Sequence, residues 1–368
     1  MLAKTADRKG FPFHGWHKAT DGTMEANTCG FDTAITETSP PAPAAARKAI
    51  AGATKTVCSW KKDKTESTEN KSRAVIRTAL SLEKRGSKNR GRQALMSWFT
   101  LKSGEKLYYE DRGEGTETLV MMHGWTSSHD IYLKPVETLQ SKARCILFDH
   151  RGHGQSKQAN RPDPTMETLA GDLNEIMEGL SLANVTLLGW SMGAAVAMNY
   201  VKLYGCEKLK RIILCDMTPK QLNDGEWKLG LYQGKYTRED MERDAGKDFY
   251  SLYKEFAIGA IPKLKKIPGF LLKKPLMEKL AACDEATLRS LASSMKTQDN
   301  RPAVEKITVP VTYFYADPGS LFSPALADWY REHVKTPFQA VCFPNSTHML
   351  VSDHPEKFAE EVGKALGA

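Results

Sequence analysis

One serine stands in a setting that can turn its hydroxyl into a nucleophile. Ser191 is the middle residue of segment 189–193, Gly-Trp-Ser-Met-Gly, which follows an apolar run at 185–188 and precedes a helix-like run at 194–203. Glycines on both sides permit a sharp, strained turn from a strand into a helix, and such a turn lifts the serine hydroxyl above the sheet. We therefore predict that Ser191 is a catalytic nucleophile.

A serine nucleophile needs a base, because its hydroxyl is weakly nucleophilic at neutral pH. His348 ends the loop 344–348, which directly follows the last strand candidate. Sites in open α/β sheets form outside the carboxyl ends of the strands. We predict that His348 is the general base.

The imidazole must also be held in one tautomer by a carboxylate, which stabilises the imidazolium during the reaction. Asp317 and Asp216 each end a strand candidate. We favour Asp317, because it lies on the strand before the histidine strand, whereas a long insertion follows Asp216. Asp216 stays open as the competitor. The order Ser191, Asp317, His348 is the one expected of such a site.

An acyl-transfer site also needs backbone N–H donors for the oxyanion, and each such donor contributes roughly 3 kcal/mol. Met192, directly after the serine, and Trp125, in the loop that follows the strand candidate 119–122, are the expected donors. We expect Trp125, Trp190 and Met192 to shape the substrate pocket as well. His123 is predicted to brace its loop.

A second loop, 149–156, has the sequence Asp-His-Arg-Gly-His-Gly-Gln-Ser. Two histidines and an aspartate are compatible with a metal, but no further ligands appear at metal-binding spacing. We expect a bracing loop beside the site, and neither a metal nor a cofactor.

Short apolar runs alternate with amphipathic stretches from residue 96 onwards, which is typical of parallel strands joined by helices. The strand candidates are 119–122, 145–148, 185–188, 212–214, 311–315 and 340–343, after a hairpin at 97–109. The pattern predicts a doubly wound α/β sheet with helices on both faces. Residues 220–301, called the cap segment below, interrupt the alternation and are expected to form an inserted helical cap.

The net charge of +8 is not spread evenly. Residues 1–95 hold 18 Lys and Arg against 9 Asp and Glu, whereas residues 96–368 hold 34 against 35. A nearly neutral domain lacks the excess of basic residues that is typical of nucleic-acid binding. We expect residues 96–368 to be the folded domain and residues 1–95 to be a disordered basic extension. The extension is explained either by a start assigned too far upstream, with Met96 as the true start, or by a genuine tail.

The remaining composition gives further expectations. The seven cysteines are scattered and form no C-x-x-C pair, so reduced thiols are expected. No run approaches the roughly 18 apolar residues of a membrane span, and the N-terminus lacks a secretory pattern. We expect a cytoplasmic protein without membrane contact; the sequence does not indicate an oligomeric state.

The chain from Met96 onwards resembles the α/β-hydrolase superfamily of esterases and cofactor-free haloperoxidases. The resemblance rests on the loop 123–125, the loop 149–156, the serine segment, Asp317 and His348. The loop 123–125 and the serine segment are also similar to the pimeloyl carrier-protein methyl ester esterases. The resemblance implies a mostly parallel eight-stranded sheet with a helical cap. One departure is Tyr315, which stands where family members usually carry a glycine two residues before the acid.

These residues predict a serine hydrolase that cleaves carboxylic esters through an acyl-enzyme and takes a small-molecule ester or acyl substrate. Perhydrolysis, carbon–carbon bond hydrolysis, thioester hydrolysis and acyl transfer use the same triad and remain alternatives, since fold does not fix function. A non-catalytic ligand-binding receptor is the alternative from another class.

Overall fold

The computed structural model describes residues 95–367. The predictions made for the N-terminal segment 1–94 lie outside the described residues. Within 95–367, no helix combines the length and the apolar content that crossing a membrane requires.

Eight strands form one sheet in the order β1-β2-β4-β3-β5-β6-β7-β8. Strands β1 and β2 pair antiparallel as the predicted hairpin, β2 pairs antiparallel with β4, and the other pairs are parallel. The expected mostly parallel sheet is confirmed. The strands are β1 (Leu95–Thr100), β2 (Lys106–Arg112), β3 (Glu117–Met122), β4 (Ala143–Phe148), β5 (Val185–Trp190), β6 (Leu209–Cys215), β7 (Val311–Gly319) and β8 (Phe338–Thr347).

Helices cover both faces of the sheet, as expected. The α-helices are α1 (Leu133–Leu139), α2 (Met166–Gly179), α3 (Met192–Tyr204), α4 (Leu231–Gly234), α5 (Arg238–Ala245), α6 (Phe249–Ala260), α7 (Gly269–Ala281), α8 (Glu285–Thr297), α9 (Arg301–Val304), α10 (Leu326–His333), α11 (Leu350–Asp353) and α12 (Pro355–Leu366). Helices α4 to α8 lie in the cap segment, between β6 and β7.

The central strands β3 to β6 are mostly apolar toward their carboxyl ends, because they are buried there on both faces. Successive side chains of a strand point to opposite faces. In β3, Val120 and Met122 pack in one apolar cluster with α2, α3 and the cap segment. Leu119 and Met121 pack in a second cluster with α1 and α12. This double burial fixes the sheet, and the carboxyl ends of its parallel strands meet along one edge.

Candidate active site

Ser191 occupies a strained turn between β5 and α3. Its backbone has φ 54° and ψ −119°, a conformation that few non-glycine residues adopt, and its N–H donates to the Cys215 carbonyl over 2.9 Å. A Cβ atom on Gly193 would lie 2.1 Å from the Met122 carbonyl oxygen, so only glycine lets the start of α3 approach β3 this closely. The predicted turn of small residues is therefore present.

His348 directly follows β8 and lies beside the serine. Its Nε2 is 2.9 Å from Ser191 Oγ, and its side chain is almost fully buried. Trp190 Nε1–H donates to the His348 carbonyl over 2.8 Å, and the His348 N–H donates to the Ala260 carbonyl of α6 over 3.3 Å. The histidine backbone is thus held both from β5 and from the cap segment.

The carboxylate on the imidazole belongs to Asp216. Asp216 Oδ2 lies 2.7 Å from His348 Nδ1, and both side chains are 1% exposed. The prediction of Asp317 at this position is therefore wrong, and the competitor named from the sequence occupies it.

The error has a local cause in how the two strands end. Strands β7 and β8 stay paired as far as Gly319 and Thr347, so Asp317 lies inside a strand and its side chain falls on the exposed side. The chain instead leaves β6 at Asp216, whose φ of 47° turns its carboxylate toward the histidine. A positive φ at a non-glycine residue is a strained geometry that is typical of functional sites.

The loop after β3 passes directly over the serine. A Cβ atom on Gly124 would lie 3.1 Å from the Ser191 Cβ. His123 Nε2 accepts from the His150 N–H over 3.0 Å, so Nδ1 carries the proton and donates to the Gly124 carbonyl over 2.8 Å. Because a trans peptide points its C=O and N–H in opposite directions, His123 fixes the direction of the Trp125 N–H. His123 therefore braces the loop, as predicted.

The loop 149–156 is held by buried charges. Asp149 accepts from the His129 N–H over 2.7 Å and from the Gln155 N–H over 2.7 Å. The Arg151 guanidinium forms a bidentate pair with Asp172 at 2.7 and 2.6 Å. This arrangement agrees with a structural brace.

Three histidines from these two loops pack together. The His123 ring centroid lies 4.6 Å from that of His150 and 5.1 Å from that of His153. Burial lowers the pKa of all three, that of His153 to about 4, so they are neutral at neutral pH. Across residues 95–367, no group of three or more His, Cys, Asp or Glu side chains is arranged to hold a metal ion.

A pocket opens beside Ser191. Its wall is mostly apolar, and besides Ser191 the polar side chains of Gln221, Asp244 and Lys296 line it. The lining residues are Trp125, Ser191, Gln221, Leu231, Tyr232, Asp244, Leu252, Phe256, Ala292, Met295, Lys296, Leu321 and Phe322.

Only one of the three predicted pocket residues lines it. Trp125 does so, held by a 3.0 Å hydrogen bond from its Nε1–H to the Leu288 carbonyl of α8. Trp190 and Met192 are not among the lining residues. Trp190 instead packs against His348, with 5.5 Å between ring centroids, because the alternation along β5 turns its indole to the other face of the sheet.

The sequence relatives include proteins named as esterases and proteins named as haloperoxidases. A pimeloyl-[acyl-carrier protein] methyl ester esterase of Nitrosomonas europaea is 24% identical over 254 residues, which is 68% of this chain and 96% of the relative. A putative non-heme chloroperoxidase of Synechocystis is 27% identical over 215 residues, covering 57% of this chain and 76% of the relative. Both kinds agree with the resemblance described above.

Solved structures share the fold at low identity. An esterase from Exiguobacterium antarcticum has a TM-score of 0.64 at 24% identity, covering 74% of this chain and 99% of its own. A bromoperoxidase from Bacillus anthracis has a TM-score of 0.63 at 21% identity, covering 75% and 100%. The family model of the alpha/beta hydrolase fold matches residues 117–355. With most of its length matched by that model, the chain belongs to the α/β-hydrolase family.

Proposed function

We propose that this protein is a carboxylic ester hydrolase that works through an acyl-enzyme on Ser191. One observation carries the proposal. Ser191 Oγ, His348 and Asp216 form a continuous hydrogen-bonded chain of 2.9 and 2.7 Å in a buried site that borders a pocket. These are the contacts that a serine nucleophile, a general base and an orienting acid require.

The first half of the reaction acylates the enzyme. Ser191 Oγ attacks the ester carbonyl carbon while its proton moves to His348 Nε2, and the resulting imidazolium is stabilised by Asp216. The tetrahedral intermediate then collapses, His348 protonates the departing alcohol, and the acyl group stays on Ser191. In the second half His348 deprotonates a water molecule, which attacks the acyl carbon. The second tetrahedral intermediate then breaks its bond to Ser191 Oγ, His348 returns the proton to that oxygen, and the acid is released.

The oxyanion of each tetrahedral intermediate would accept from the backbone N–H groups of Trp125 and Met192. Met192 is the first residue of α3, where N–H groups have no partner inside the helix. The Trp125 N–H belongs to the peptide that His123 orients. Both donors are main-chain groups on rigid segments, so little reorganisation is needed when the charge develops.

Hydrolysis of p-nitrophenyl esters of graded acyl length tests the proposal. We expect turnover by the intact chain and a loss of at least about a thousandfold in kcat for Ser191→Ala. The matched control is Ser293→Ala, an exposed serine on α8, which should keep the wild-type rate. If no ester is cleaved, or if Ser191→Ala cleaves as fast as the intact chain, the proposal fails.

The acid is tested by a pair of isosteric substitutions. Asp216→Asn keeps the shape of the side chain but removes the charge that stabilises the imidazolium, so kcat should fall by about 10³- to 10⁴-fold. Asp317→Asn, at the exposed position, should stay within about twofold of wild type in the same ester assay. If Asp317→Asn lost more kcat than Asp216→Asn, Asp317 would be the catalytic acid instead.

Perhydrolysis is the second candidate, favoured by the relatives named as haloperoxidases. Hydrogen peroxide in place of water would release a peracid from the same acyl-enzyme. The ratio of peracid to acid formed from ethyl acetate in the presence of hydrogen peroxide measures this activity. Only acid, at every peroxide concentration, would exclude it.

A further inference from the structure

A second hydroxyl contacts the carboxylate of the proposed triad. Ser320 directly follows β7 and is 8% exposed, and its Oγ lies 2.6 Å from Asp216 Oδ2. An ionised carboxylate only accepts, so the Ser320 hydroxyl donates. Asp216 Oδ2 is the same oxygen that contacts His348. Two donors therefore share one carboxylate oxygen.

The Ser320 hydroxyl has a fixed direction. The Phe322 N–H donates to Ser320 Oγ over 2.9 Å, which occupies a lone pair of the hydroxyl and leaves its proton directed at Asp216. The other carboxylate oxygen, Asp216 Oδ1, has no hydrogen-bond partner among residues 95–367. Within residues 95–367, the side chains hydrogen-bonded to this carboxylate are thus those of Ser320 and His348.

A residue of the cap segment clamps the loop that carries Ser320. Gln233 Nε2 donates to the carbonyls of Ser320 and Phe322 over 2.7 and 2.6 Å, and the Gln233 N–H donates to the Leu321 carbonyl over 2.9 Å. Gln233 itself has φ 58°. Such a backbone costs free energy and persists only where surrounding contacts hold it, so the clamp is specific to this loop.

We propose that Ser320 is a positioning residue that acts on the reaction through Asp216. It holds the carboxylate in plane with the imidazole and draws charge from Oδ2, which limits how strongly the imidazolium is stabilised. The inference rests on the proposed function. It also assigns a role to the loop that follows β7, the strand that contains Asp317.

Two effects follow from removing the hydroxyl. The carboxylate becomes free to rotate toward its unpartnered oxygen, so the rate falls. Oδ2 also becomes a stronger acceptor, which favours the protonated imidazole, so the acid limb of the pH profile moves to higher pH. Cys215 of β6 and Tyr313 of β7 also face Asp216, but burial raises the pKa of both, and they stay neutral across this range.

The experiment compares pH profiles of kcat/KM for a p-nitrophenyl ester. For Ser320→Ala we expect a plateau roughly tenfold lower and an acid limb shifted up by about half a pH unit. The matched control is Ser323→Ala in the same loop, whose hydroxyl accepts from the Ala325 N–H. This control should keep both the rate and the profile.

A double variant separates positioning from general damage. If Ser320 acts through Asp216, adding Ser320→Ala to Asp216→Asn should change kcat by less than twofold. An equal loss in both backgrounds, or an unchanged profile for Ser320→Ala, would overturn the inference. A wild-type chain that cleaves no ester would instead overturn the proposed function.

A third variant covers the case in which Ser320→Ala does not fold. Gln233→Ala leaves Ser320 in place and changes an exposed residue. Because it loosens the clamp, it should shift the acid limb in the same direction by a smaller amount. A profile identical to wild type would then count against the inference.

Discussion

His129 shows how a buried charge is held beside the site. Its Nδ1 lies 2.9 Å from Asp149 Oδ1, and its Nε2 lies 3.3 Å from Glu110 Oε1. Desolvation acts to lower the pKa of His129, but the hydrogen bonds that the imidazole donates to Asp149 and Glu110 outweigh it and raise the pKa to about 10. The imidazole is therefore charged at neutral pH and ties the loop 149–156 to β2.

The raised pKa of His129 predicts a pH-dependent contribution to stability. Because the folded pKa lies above the unfolded value of about 6.5, the contribution is fully present below about pH 6.5 and is lost as the pH rises through about 10. We expect His129→Gln to lose roughly 3 kcal/mol of unfolding free energy at pH 6 and much less at pH 10.

Urea denaturation of both proteins at pH 6, 8 and 10 measures this difference. Titration of surface groups affects wild type and variant alike and cancels between them. An equal destabilisation at all three pH values would show that the imidazole is neutral in the folded protein.

The residues of the site differ in how far the sequence could identify them. Ser191 and His348 were predictable because the flanking glycines and strands constrain their positions. Asp216 and Asp317 could not be separated, since the choice depends on the length of β7 and on the backbone angle at Asp216. Tyr315, where the family usually has glycine, was a departure that concerned the geometry of the acid and not its position. No sequence pattern indicated Ser320, because its proposed role depends on a contact with Asp216, which lies 104 positions earlier in the chain.

At the scale of elements, the packing of α3 against β3 depends on one glycine. A Cβ atom on Gly193 would meet the Met122 carbonyl oxygen at 2.1 Å, and main-chain atoms cannot move aside cheaply. Gly193→Ala should therefore cost roughly 2–3 kcal/mol of unfolding free energy and displace Ser191. Thermal or urea unfolding together with the ester assay measures both effects.

The control for this prediction is a glycine that has room. Gly171 lies inside α2, and its nearest neighbour to an added Cβ atom is the Tyr204 hydroxyl at 3.6 Å. Alanine is more favourable than glycine in a helix interior, so Gly171→Ala should raise the free energy of unfolding by about 0.5–1 kcal/mol. Similar effects of the two substitutions would mean that Gly193 is not a close-packing position.

Elements were predicted best where burial leaves little choice. Each of the six apolar runs lies inside one of β3 to β8, because strands buried on both faces must be apolar throughout. The cap segment was less predictable in detail. Tyr232 and Gln233 adopt left-handed backbone angles inside α4, and contacts with the loop after β7, rather than local propensity, hold them there.

At the scale of the whole molecule, we expect a chain of residues 96–368 to fold and act alone. Its charge is close to balanced, whereas the excess of basic residues lies before it. Starting at Met96 removes only Leu95 from β1, the residue paired with Asp111 at the edge of the sheet. The melting temperature and kcat/KM should match those of the full chain. A truncated protein that fails to fold would assign a structural role to the earlier residues.

The place of Asp216 in the chain also bears on how such a protein diversifies. Asp216 directly precedes the cap segment, whereas Ser320 and His348 follow it, so Ser191 and these three residues all lie outside residues 220–301. If recombination exchanged the cap segment between relatives, most of the pocket wall would come from the donor and the reacting groups would come from the recipient. The clamp residue Gln233 would also come from the donor. Chimeras should therefore inherit their substrate preference from the donor, and their catalytic efficiency should depend on whether the donor supplies a glutamine at that position.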